Sequence, residues 1–110
     1  RQLVKKTEKP DLHFQIEVVG DRPAGMIAVE HPLVQGALAA LEIVGLRGTL
    51  ENGSTDANVP PAMGYPAVTV GITRGGNAHR LDGYIETQPI AAGLHQLVAL
   101  TLAACAFQTL

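Results

Sequence analysis

Gly53-Ser54-Thr55-Asp56-Ala57-Asn58, Ala67-Val68-Thr69-Val70 and Arg74-Gly75-Gly76-Asn77-Ala78-His79-Arg80-Leu81-Asp82 are the stretches on which the fold turns. The first is a run of N-cap residue types, which predicts the start of a short helix or turn carrying Val59 to Met63. The doubled proline Pro60-Pro61 limits how regular that helix can be. The second reads as a compact apolar strand of the kind buried on both faces in a parallel sheet. The third is a glycine loop at that strand's end, where the missing side chains let the backbone approach closely and deliver one imidazole.

Upstream, Leu12, Phe14, Ile16 and Val18 alternate with His13, Gln15 and Glu17, the period-two pattern of a strand with one wet face. Residues 1–10 read as a polar helix end or linker. Gly20-Asp21-Arg22-Pro23-Ala24-Gly25 is a turn-rich break and the expected domain boundary. Pro32 then opens a helix, with His31 at its start. Leu33, Val34, Ala37, Leu38, Leu41 and Val44 lie on one face, and Gly45 is the expected stop. Leu46 to Glu51 reads as a further strand. Downstream, Thr87 is the expected cap of a last helix that is apolar nearly all round, so it should be covered by other structure.

The bulk composition bounds the class of protein. A chain of 110 residues, 46% hydrophobic, is the size of one domain. Eight Lys plus Arg against ten Asp plus Glu give a formal charge of -2. No basic patch for nucleic acid or an anionic membrane is visible. From Ile90 to Leu110 there is no charged residue. Its Gly, His, Gln and Thr content and the lack of flanking basic anchors favour a helix buried in a soluble α/β protein over a membrane span. The single cysteine, Cys105, reads as a buried structural thiol in a reducing, cytoplasmic setting. The opening Arg1-Gln2-Leu3-Val4-Lys5-Lys6 has no apolar signal-peptide core and no initiator methionine, as expected of a processed or excised segment.

Other chemistries find little support. Gly71 to Gly76 has neither Gly-Lys-[Ser/Thr] nor Gly-x-Gly-x-x-Gly, so a phosphate cradle is not indicated. Ser54 is the only serine, and it is outside any Gly-x-Ser-x-Gly elbow. His13 and His95 read as structural. By spacing alone His79 is a surface histidine or a metal ligand. Asp82, before Gly83, is a turn residue or a carboxylate supporting that ligand. Asp56 is an ordinary helix-start residue or part of a site, and Ser54, Thr55 and Asn58 have the groups to bind a carboxylate.

Glu17 to Ala24, Gly53 to Asn58, Gly64 to Gly71 and Ala78 to Glu86, in this order and spacing, resemble the C-terminal portion of a zinc peptidase of the aminoacylase, carboxypeptidase G, tripeptidase and succinyl-diaminopimelate desuccinylase superfamily. The likeness runs from about Leu12 to Phe107. It implies an α/β fold: a partial three-layer α/β/α unit of the catalytic domain over residues 26–110, preceded over 1–25 by the last strand of the lid and dimerisation domain and the return crossing. It implies a co-catalytic pair of zinc ions with His79 as one ligand. Ser54, Thr55, Asp56 and Asn58 would shape the pocket for a peptide or N-acyl amino acid, and Asp82 would support the ligand. A homo-oligomer is expected.

The superfamily's His-x-Asp and Glu-Glu motifs are absent, since His13, His31, His79 and His95 precede Phe-Gln, Pro-Leu, Arg-Leu and Gln-Leu. The chain alone is therefore expected to be inactive. The alternative is a non-catalytic interaction module that self-associates through the edge strand Leu12 to Val19.

Overall fold

The computed structural model describes residues 2–7 and 9–107. Four helices and one small hairpin make up its regular structure: α1 over Gln2–Thr7, α2 over Pro32–Ile43, α3 over Val59–Ala62, β1 over Gly75–Gly76, β2 over Tyr84–Ile85 and α4 over Ile90–Phe107. A single 3-10 turn, Asp56–Asn58, leads into α3.

Local chemistry sets the limits of α2. His31 is its N-cap, with Nδ1 accepting a hydrogen bond from the Leu33 N–H at 3.1 Å, and Pro32 fills the first helical position. At the far end Gly45 takes φ 76, its N–H donating to Glu42 O while the Leu46 N–H donates to Leu41 O. These two bonds form a Schellman stop. Gly64 ends α3 the same way at φ 85, with N–H donors from Gly64 to Pro61 O and from Tyr65 to Pro60 O. Pro60 and Pro61 are tolerated because they stand in the first turn, where no intrahelical N–H bond is lost.

The core is where α2 meets α4. Ala37, Ala40 and Leu100 are buried together, with Leu33, Val68, Val70 and Ala99 packed against them. Val68 and Val70 face inward while Thr69 between them is exposed, so this segment is covered on one face and not on both as expected. Gly93 brings α4 so near the chain at Ile72 that a Cβ there would overlap the Ile72 carbonyl.

Three expectations need correction. Among the described residues only β1 and β2 pair as strands, antiparallel, with Gly75 opposite Ile85 and Gly76 opposite Tyr84. The runs 12–19, 46–51 and 67–70 therefore form no sheet, and these residues do not build a three-layer α/β/α unit by themselves. An extended segment becomes a strand only when a neighbour takes up its N–H and C=O groups, and this chain supplies none there. Secondly, α4 is covered on one side only, so Cys105 is exposed instead of buried. Thirdly, Thr87 contributes its backbone carbonyl to the Ile90 N–H at 3.3 Å, and no side-chain cap forms.

The molecule is correspondingly open. Its radius of gyration is 19.9 Å, against about 13 Å for a compact domain of this length. Its accessible surface is 9303 Å², against roughly 5,800 Å² for a compact monomer of this mass.

Candidate functional site

The β1–β2 hairpin presents His79. Arg74 O accepts from the Glu86 N–H at 2.8 Å, and the Arg74 and Glu86 side chains pair across the hairpin base at 2.9 Å. Glycines are needed at Gly75 and Gly76 because a Cβ at the first would press on the Tyr84 carbonyl and one at the second on the Tyr84 ring. Beside them lies a shallow, mainly apolar depression of about 450 Å³ floored by Gly75, Gly76 and Gly83 and walled by Tyr84 and Ile85.

Within the loop, Asn77 and His79 are in the left-handed region at φ 54 and φ 63. A Cβ is crowded by a carbonyl oxygen in that conformation, although Asn and His enter it more often than most residues. Two turns hold it, with the Arg80 N–H donating to Asn77 O at 3.2 Å and the Gly83 N–H to Arg80 O at 3.1 Å. The His79 side chain is exposed, with no hydrogen-bond partner among the described residues.

Asp82 is engaged elsewhere. Arg80 donates to it through Nε at 2.8 Å and Nη2 at 2.9 Å, a two-pronged grip, and Asn77 Nδ2 donates at 3.1 Å. This carboxylate braces the loop that carries His79 and does not contact the imidazole itself. Among the described residues, no three His, Cys, Asp or Glu side chains stand together in a way that could hold a metal ion.

The Ser54 to Asn58 run forms a second polar cluster. Thr55 Oγ1 accepts from the Ala57 N–H at 3.1 Å, and Asn58 Oδ1 accepts from the Thr55 N–H at 3.0 Å, completing a reciprocal capping box. Thr55 Oγ1 also meets Thr69 Oγ1 at 3.1 Å, which ties the cap to the 67–70 segment. Ser54 and Asp56 are held by Arg22, whose Nη1 donates to Ser54 Oγ and Nη2 to Asp56 Oδ1, each at 3.1 Å. Gly25 then passes so close to α3 that a Cβ there would overlap the Ala62 nitrogen. The crossing at 20–25 is thus fastened to the 54–62 block twice.

Arg22 is the residue that sequence reasoning passed over as part of a turn. Its partners are 32 and 34 positions away, so no local pattern in the sequence announces them. No direct hydrogen bond or ion pair joins the Ser54–Asn58 cluster to the His79 loop among the described residues. No protein-family model, no curated protein and no solved structure matches this chain.

Proposed function

We propose that this chain is the C-terminal part of a dinuclear zinc exopeptidase or amidohydrolase, to which it contributes His79 as one metal ligand and the 54–58 turn as a wall of the substrate pocket. The substrate class is a peptide or an N-acyl amino acid. A catalytic zinc takes about three protein ligands and a water. The donor set here is a single imidazole, which does not fit a complete site, so no hydrolytic step is assigned to this chain alone.

The observation that carries the reading is the presentation of His79. An exposed, unpaired imidazole sits on a left-handed backbone in a loop braced by Arg80, Asn77 and Asp82. Strained, well-supported conformations of this kind concentrate where function needs a side chain aimed. The 54–58 turn has the matching property, since its polar side chains are already ordered by the capping box and by Arg22. In this reading the unpaired runs 12–19, 46–51 and 67–70 gain their neighbours from polypeptide outside the sequence.

The test begins with the coding DNA upstream of Arg1. An in-frame His-x-Asp and Glu-Glu supports the enzyme; a start codon next to Arg1 supports a self-associating module, the reading that the large exposed surface also favours. The 110-residue chain with added zinc is expected to release no amino acid from N-acyl amino acids. Joined to the upstream polypeptide it should show zinc-dependent turnover that His79→Ala removes. Near-normal turnover with two retained zincs in that variant would overturn the assignment.

A further inference from the structure

Asn52-Gly53 is the one Asn-Gly pair in the chain, and it lies between α2 and the 54–58 turn with no regular structure at either residue. An asparagine amide is labile where the backbone nitrogen of the next residue can reach its carbonyl carbon, and glycine in that place has no Cβ to obstruct the approach. Both residues are exposed, and neither the Asn52 side chain nor the Gly53 N–H has a hydrogen-bond partner among the described residues. A Cβ at Gly53 would meet nothing within 4 Å. The comparable positions are all held. Asn58 Oδ1 accepts from the Thr55 N–H at 3.0 Å, and the Val59 N–H that would have to attack it donates to Asp56 O. Asn77 Nδ2 donates to Asp82 at 3.1 Å, and the residue after it is Ala78. At Asp82-Gly83 the Gly83 N–H donates to Arg80 O at 3.1 Å, and Arg80 grips the carboxylate.

We propose that Asn52 is a site of spontaneous covalent modification, at which the fold directs deamidation to this one asparagine. The Gly53 nitrogen gives its proton to solvent and bonds to Asn52 Cγ, and the Cγ–Nδ2 bond breaks as that nitrogen takes up a proton and leaves as ammonia. The product is a cyclic succinimide. Water then adds to one of its two carbonyl carbons: opening at Cγ gives aspartate, and opening at the Asn52 main-chain carbonyl gives isoaspartate, whose backbone runs through Cβ. No electron transfer is involved. Either product adds one negative charge, and isoaspartate also puts an extra methylene into the main chain. Both changes fall directly ahead of Ser54 and Thr55, the residues held by Arg22 and by the capping box. The chemistry depends on residues 52 and 53 and stands whether or not His79 holds zinc.

The test incubates the chain in mildly alkaline buffer, folded and unfolded in guanidinium chloride, and follows it by ion exchange and peptide mapping. A more acidic species is expected to accumulate, with the peptide containing Asn52 heavier by the difference between an amide and an acid. Part of it should accept a methyl group from S-adenosylmethionine in the presence of an isoaspartyl methyltransferase. In the folded chain Asn52 should convert as fast as in the unfolded one, while Asn58 and Asn77 convert more slowly than they do unfolded. Gly53→Ala should slow conversion at Asn52 by about tenfold, and Asn52→Gln should leave that peptide unmodified. An Asn52 that stays intact in the folded chain overturns the proposal, whether or not it converts when unfolded. Conversion of Asn58 or Asn77 as fast as Asn52 in the folded chain overturns the selection by the fold, and an unchanged rate in Gly53→Ala overturns the attack by the neighbouring nitrogen.

Discussion

At φ 63 the Cβ of His79 crowds the backbone, at a cost of about 1–2 kcal/mol relative to a residue free of that clash. His79→Gly is therefore expected to stabilise the chain by about 0.5–1 kcal/mol in urea denaturation, while abolishing zinc-dependent turnover of the joined enzyme. Opposite movements of stability and activity are what a strained ligand predicts; a loss of both would mark His79 as a packing residue. Gln96 makes the complementary case. It is 1% exposed and its Nε2 has no hydrogen-bond partner, so Gln96→Met, similar in volume and without the amide, should raise the denaturation midpoint by an amount worth about 1 kcal/mol. Thr55 works in the other direction, since its hydroxyl serves both the cap and Thr69. Thr55→Ala should cost about 0.5–2 kcal/mol, read in the same experiment.

At the scale of elements, sequence reasoning succeeded where the deciding chemistry is local and failed where it is not. Pro32, His31 and Gly45 bound α2 through contacts within a few residues, and Thr55 with Asn58 builds its cap across three positions. These were legible. The strand expected over 12–19 rested on period-two alternation, which specifies a face but supplies no hydrogen-bonding neighbour, and the strand expected over 46–51 lacks such a neighbour too. Cys105 was misread for a related reason: an uncharged helix looks the same in sequence whether covered on every side or on one. The role of Asp82 was half legible, since its turn position was plain but the Arg80 grip depends on a loop shape set by two left-handed residues. The seating of α4 gives a further prediction. Because a Cβ at residue 93 would overlap backbone at Ile72 and not a movable side-chain tip, Gly93→Ala should destabilise by about 1–3 kcal/mol, seen as a lowered thermal midpoint by circular dichroism.

For the whole molecule, hydrogen exchange should divide the chain sharply. Amides in 13–28, where no regular structure forms before the turn ahead of α2, are expected to exchange within seconds, and those of α2 and central α4 to be the slowest. Uniform protection along 13–28 in the chain alone would mean that its open shape is not the solution state. The core itself joins distant pieces: Ala37 and Ala40 meet Leu100, about sixty residues further on, with Val68 and Val70 of the intervening chain packed against them. Closing a loop of that length carries its entropic cost before any burial rewards it. During synthesis the capped turns at 31–34 and 55–58 can form as soon as they leave the ribosome, and Arg22 can fasten the 20–25 crossing to the second of them, but the buried core waits for the final helix. A nascent chain halted before residue 96 would hold correct helix ends and the Arg22 clasp but lack the buried cluster of Ala37, Ala40 and Leu100, so α2 gains its cover only once α4 has been made.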